Sequence, residues 1–325
     1  MPSSSAAAPV RAPQTSSINH VAAKSPALTV FAFFCIYFIW GSTYLAIRYA
    51  VATIPPLYTA GFRHLIAGSI LLIWALAKGA RPTGKQIRAS VIIGIFFFLI
   101  GHGTLHWAET RIPSGFASLI IASEPIWVFL MAALAEKKWR MNLPLMTGVV
   151  IGLVGVALLV GHDAFSSGSK MFVGSVAVLL GAISWSVGIV YSRRSHLSGN
   201  PLLLSALSLL SGSFLLLTTG TIAGEARGFS FAQVTMRSWL ALAYLILFGS
   251  VVTFTAYNWL MEHYPPTFVA THTYVNPIVA VFLGWWFAGE KVTINVAIAA
   301  ALVILAVFLV DRGMAKLQID SNTAA

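Results

Sequence analysis

Ten apolar stretches of about twenty residues follow one another with little between them, and this spacing constrains the chain more than anything else in it. They cover residues 28–47, 57–77, 87–107, 115–135 and 143–161, then 171–191, 202–223, 239–261, 267–288 and 294–310. Roughly 20 apolar residues in α-helical form cross a hydrocarbon core, and a helix satisfies its own backbone there. The expected fold is therefore all-α and integral to a membrane, with ten transmembrane helices. Turn-forming residues fall between the stretches: Pro55-Pro56, Arg81-Pro82, Pro113-Ser114, Asn200-Pro201 and Pro265-Pro266. Charged residues make up 9% of the chain, against roughly 25% in soluble domains, too few for a water-facing surface. No polar loop is long enough to hold an extramembrane catalytic domain.

The net charge of +11 does not indicate nucleic acid, because no run of five or more basic residues occurs. The cations sit in short clusters between apolar stretches and serve better to orient the chain. With the N-terminus in the cytoplasm, thirteen Lys and Arg fall inside, among them Lys78, Arg81, Lys137, Lys138, Arg140, Arg193 and Arg194. Seven fall outside: Arg48, Arg63, Arg111, Lys170, Arg227, Arg237 and Lys291. Both termini are thus expected to be cytoplasmic, in a multi-pass protein of the cell inner (plasma) membrane. Residues 1–26 are rich in Ser, Ala and Pro and read as a disordered tail. They lack the apolar core of a secretory signal, although a plastid transit peptide shares their composition. Residues 312–325 form a short polar tail. A single cysteine, Cys35, excludes an internal disulfide.

The two halves repeat. Residues 106–129, HWAETRIPSGFASLIIASEPIWVF, align with NWLMEHYPPTFVATHTYVNPIVAVF from Asn258 at an offset of 152. Trp107 meets Trp259, Pro113 meets Pro265, and Pro125-Ile126 meets Pro277-Ile278. After a two-residue slip Glu136-Lys137 meets Glu290-Lys291. Nearer the start, an offset of 145 pairs Trp40 with Trp185, Arg48 with Arg193 and Pro56 with Pro201. The repeats are expected at 27–162 and 170–311. Five spans is an odd number, so the second copy enters the membrane upside down. Inverted repeats characterise secondary transporters, whose substrate site lies between the halves near the midplane.

The stretch WGSTYLAIRYA, followed by Pro-Pro and AGFRHLIAGSILL, resembles the first two helices of the EamA-like drug/metabolite transporter superfamily. IPSGFASLIIASEPIW with AEKKWRM resembles its fourth helix and the start of the fifth, and YVNPIVAVFLGWWFAGEKVT repeats that pattern. The resemblance runs from about residue 28 to 311. It implies two five-helix repeats around a central cavity, alternating access, and export of amino acids or related metabolites. It does not imply a particular substrate. Ala135-Glu136 stands where the family commonly has Gly-Glu.

Ionisable groups inside spans are candidates for function. Glu124 lies midway along the fourth stretch and maps onto the neutral Asn276. It suits proton coupling or a substrate ammonium, or alternatively a protonated carboxyl tying two helices together. Pro125 and Pro277 follow directly, and a mid-helix proline would free the carbonyls of Ile121 and Thr273. His102, His106 and Glu109 share one helix face, but nothing completes a metal site, and no metal or cofactor is expected. His102 lies near Glu124 in depth, which allows a proton relay between them. His106 maps onto Asn258. His272 maps onto Ile120, and either lines the path or donates a structural hydrogen bond. Trp40 and Trp185 are mid-span and suit an aromatic wall or bundle packing. Trp107, Trp139, Trp239 and Trp259 fall near span ends, as interfacial anchors do.

The expected function is a secondary transporter of a small metabolite, an amino acid or related amphiphilic compound, exported with proton coupling. No GxxxxGK[ST] is present, so the chain does not power itself with ATP. A passive facilitator and an integral-membrane enzyme using His102, His106 and Glu124 are the alternatives. Partners are the substrate, protons and the bilayer; oligomeric state is not legible.

Overall fold

A computed structural model describes residues 25–136, 141–166, 169–195 and 199–323, with the backbone alone at 160–166, 266–267 and 318–323. The expected tail over residues 1–24 and the basic turn of Lys137, Lys138, Trp139 and Arg140 lie outside the described residues. All regular structure among the described residues is helical. In the first half the helices are α1 (Pro26–Ala50), α2 (Pro56–Ala77), α3 (Gly84–Ala108), α4 (Ser114–Glu136) and α5 (Leu143–Ser166). In the second they are α6 (Ser169–Arg194), α7 (Pro201–Ile222), α8 (Met236–His263), α9 (His272–Ala288) and α10 (Ile294–Thr323). Eight helices are long and apolar enough to cross a membrane; α5 adds a shorter apolar stretch, Leu143–Leu159. The 17 residues of α9 give a length of about 25 Å at 1.5 Å per residue. Beyond Asp311, α10 continues as helix to Thr323.

The helix starts follow from local chemistry. Pro26, Pro56 and Pro201 occupy first-turn positions, where a missing N–H costs nothing. Thr83 and Gln86 form a reciprocal capping box at α3. Asn200 accepts from Leu202 N and Leu203 N at α7, and Thr235 from Ser238 N at α8. The α2 cap is supplied from elsewhere: Glu225, in the loop after α7, accepts from Leu57 N at 3.1 Å and Tyr58 N at 3.0 Å. Burial raises its carboxyl above the usual range, and these two N–H groups hold it back.

The helices pair in a pattern that relates the halves. Two pairs are formed between equivalent helices, α2 with α7 and α5 with α10. The others come in matching sets: α3 and α4 pack on α6, while α8 and α9 pack on α1. Direction can be read from the helix ends. Glu290, just past the end of α9, accepts from Ser114 N at the start of α4. Arg194, at the end of α6, donates to Ala135 O near the end of α4. Buried residues of both halves share the largest core, among them Ile47, Ile112, Leu119, Val178, Leu245 and Val303.

Small residues let these helices approach. A Cβ on Gly148 would stand 2.8 Å from Ala306 O, and one on Gly155 3.0 Å from Val303 Cγ2, so α5 and α10 touch closely along these glycines. Since the Gly148 neighbour is backbone and cannot swing away, Gly148→Val should part α5 from α10. The expected loss is about 1–3 kcal/mol, visible as a lower unfolding temperature in detergent.

Candidate functional site

Three helices contain a wider, i→i+5 turn: Cys35–Ile39 in α1, Gly94–His102 in α3 and Leu247–Val252 in α8. At an offset of 152 the α3 segment overlaps that of α8. Such turns misalign carbonyls that a regular helix would use, and they concentrate at functional sites. Each is met by a side chain from another helix. With its amide nitrogen facing them, Asn276 of α9 donates to Ile36 O at 2.8 Å and Tyr37 O at 2.9 Å. Ser184 Oγ of α6 donates to Phe96 O at 2.9 Å. Trp40 Nε1 donates to Gly249 O at 3.1 Å, and Arg63 Nη2 to the same oxygen at 3.4 Å. Arg63 is 3% exposed and also donates to Ser250 Oγ, so its role is to hold α2 against α8.

The helix α4 is broken. Its first part ends at Ile121 and its second begins at Glu124, with Ser123 N donating to Ile120 O and Ile126 N to Ser123 O. Ser123 Oγ donates to Ile120 O and accepts from Trp127 Nε1 at 2.9 Å. This corrects the expected mid-helix kink at Pro125: the proline is the second residue of a fresh segment, where no N–H is needed. Pro277 does lie inside its helix. In the second half the break falls earlier, between the short helix Pro266–Val269 and α9. Glu124 therefore opens a half-helix inside the bundle, at the end where free N–H groups favour negative charge.

The Glu124 carboxylate is partly exposed, and among the described residues it has no hydrogen-bond or ion-pair partner. Tyr44, Tyr257 and Arg193 lie within its electrostatic reach. Two aromatic groups are built on the equivalent tryptophans, and Tyr257 of the first is the member within reach of Glu124. Trp40 lies 5.2 Å from His272, 5.3 Å from Tyr257 and 5.7 Å from Phe254, ring centre to ring centre. Trp185 stacks on Phe97 at 4.2 Å and on His102 at 5.1 Å. The Trp185–His102 contact is thus the counterpart of Trp40–Phe254.

The remaining expected residues spread outward from these groups. The ring of His102 faces His64 of α2, Nδ1 to Nε2 at 2.8 Å, so its first partner is not Glu124 as a direct relay would require. His106 is fully buried, its Nδ1 donating to His102 O at 2.7 Å and its Nε2 without a partner among the described residues. Asn258 Nδ2 approaches Ser205 Oγ at 3.5 Å, and His272 Nδ1 donates to Val269 O at 2.8 Å. His64, Tyr44 and Tyr257 escaped the sequence reading. His64 carried the same signal as His102, an ionisable group in an apolar span; the tyrosines carried none.

The family model described as the EamA-like transporter family matches this chain twice, at residues 27–161 and 172–311. The chain belongs to the EamA-like transporter family. It is 34% identical to the "Uncharacterized inner membrane transporter YedA" of Escherichia coli K12, over 87% of this chain and 90% of that protein. It is 24% identical to the "Uncharacterized transporter YoaV" of Bacillus subtilis, over 83% and 92%. It is 25% identical to the chloroplastic WAT1-related protein At3g02690 of Arabidopsis thaliana, over 85% and 67%. A protein of known crystal structure superposes with a TM-score of 0.60 at 20% identity, covering 87% of this chain and 97% of its own, and so shares the fold. This EamA-like protein is a multi-pass membrane transporter.

In this transporter Asn276 binds α9 to the wide turn of α1. Asn276→Ala should leave the Ile36 and Tyr37 carbonyls bare and cost about 1–3 kcal/mol, read as a lower unfolding temperature of the purified protein.

Proposed function

We propose that this EamA-like transporter is a proton-coupled exporter of small metabolites that carry an ammonium group on an apolar body, such as amino acids or related amphiphiles. It works as two inverted five-helix repeats crossing the membrane ten times, with both termini in the cytoplasm. What supports the inversion is helix direction. The end of α9 meets the start of its equivalent α4, so the two run antiparallel. Arg48 ends α1 beside Glu290, while Arg194 ends α6 at the other end of α4.

The observation that carries the transport reading is Glu124 at the break in α4. A broken helix near the centre of a bundle supplies a charged end and unpaired backbone groups, the usual substrate platform in secondary transporters. A carboxylate among aromatic rings attracts a cation through its charge and through the ring faces. Trp40, Tyr257 and Trp185 then receive the apolar part of the substrate. The same carboxylate can hold either a proton or the substrate ammonium, and this exclusion couples the two fluxes in opposite directions. His102, joined to His64 at 2.8 Å, stacks on the Trp185 ring that takes part in this pocket.

Glu124→Gln tests this in proteoliposomes with an imposed pH gradient. Substrates are first found by thermal stabilisation against amino acids, sugars, nucleosides and cationic drugs. The variant should fold and keep its unfolding temperature while losing gradient-driven transport at least a hundredfold. Wild-type coupling in the variant would remove Glu124 from the mechanism. Transport by the native protein that persists unchanged when the gradient is collapsed would identify a passive facilitator.

A further inference from the structure

Glu290 lies beyond α9, after Gly289, whose backbone is left-handed at φ 63°. It is 9% exposed, and its carboxylate accepts three hydrogen bonds from the start of α4: Ser114 N at 2.8 Å, Ser114 Oγ at 2.8 Å and Gly115 N at 3.0 Å. It also pairs with Arg48 Nη1 at 3.3 Å, and Arg48 in turn donates to Ile112 O at 3.4 Å. The fit is close, since a Cβ on Gly284 would collide with the Glu290 Oε2. One carboxylate thereby fastens the ends of α1 and α9 to the start of α4.

The repeat carries every one of these parts to the opposite end of the bundle. Arg48 maps onto Arg193, Glu290 onto Glu136, and Ser114 and Gly115 onto Pro266 and Thr267. There Arg194 still holds the end of α6 to Ala135 O, but no matching carboxylate fastening occurs among the described residues. Glu136 and Arg193 are both exposed, and neither has a hydrogen-bond or ion-pair partner among the described residues. Helix α4 runs from one arrangement to the other, so the two lie at its opposite ends.

We propose that these are the paired gates of the transport cycle: Glu290, Arg48 and the start of α4 form one latch, closed in this structure, and Glu136, Arg193 and the start of Pro266–Val269 form its counterpart, open here. This rests on the transport reading above. It makes the present conformation the one closed on the Glu290 side. The sequence also makes the latches unequal. Pro266 has neither N–H nor hydroxyl, so the second latch lacks the two donors that Ser114 supplies to the first. Ala135 stands where Gly289 takes the left-handed backbone that turns Glu290 back over α4, a conformation disfavoured once a Cβ is present. The resting protein is therefore biased towards closure on the Glu290 side.

The test measures distances between spin labels on full-length protein in liposomes, with Cys35 replaced by Ala. One pair, Thr110→Cys and Thr293→Cys, reports on the Glu290 end; the other, Met141→Cys and Glu262→Cys, reports on the Glu136 end. Glu290→Gln should shift the ratio of closed to open populations about tenfold, the effect of losing a charge-assisted contact. The first pair lengthens and the second shortens. The double variant Ala135→Gly with Pro266→Ser, which adds donors and freedom to the other latch, should shift both pairs in the same sense. Loss at one end and gain at the other then agree, which packing damage would not produce. Unchanged distances in a folded Glu290→Gln protein would overturn the proposal. Should that variant fail to fold, unchanged distances in the double variant would do so. Because the readout is distance, shifted populations without any substrate transport would uphold the gates and refute the transport reading, whereas transport without shifts would refute the gates alone.

Discussion

In a hydrocarbon medium every peptide N–H and C=O must find its partner within the protein, and each departure from regular helix has to be repaired by another part of the chain. The wide turns in α1, α3 and α8 are such departures. Asn276, Ser184 and Trp40 with Arg63 repair them, each from a different helix. The repairs tie α9 to α1, α6 to α3, and α1 with α2 to α8. Polar side chains that would be costly when facing lipid thus become the cross-links that hold irregular helices at fixed distances. The irregularity is concentrated where the aromatic and ionisable side chains gather.

Duplication explains why these features come in pairs, and divergence explains why the pairs are chemically unequal. Trp40 and Trp185 occupy equivalent places, yet one stands beside Phe254 and the other against His102. Glu124 is a carboxylate opposite the amide of Asn276, and Asn276 is used to clasp α1. Ser114 offers two donors where Pro266 offers none. A protein with two identical halves would have equal states on both sides; this one keeps the architecture of symmetry and places the Glu124 carboxylate in one half only.

The sequence made the helices legible because membrane crossing imposes a length and a composition, and because Pro, Asn and Thr mark helix starts through local hydrogen bonding. It made the repeat legible because ordered matches survive divergence. Glu124, His102 and Trp40 could be found because charged and amphipathic groups are expensive in apolar spans. Their partners could not. That His102 faces His64, or that Glu124 lies within reach of Tyr257, depends on helix rotation and crossing, which hydropathy does not encode. The same holds for the break in α4, expected at Pro125 but formed two residues earlier, where the Ser123 hydroxyl takes over a backbone role.

The chain by itself therefore determined that it is helical, membrane-embedded and duplicated, and which rare polar residues lie within its spans, since each of these follows from short-range energetics read along one dimension. Only the tertiary structure decided which carbonyls the wide turns expose, which side chains answer them, and that Glu290 closes over α4. Those outcomes depend on contacts between residues 88 or more positions apart, and such contacts are fixed by how whole helices pack.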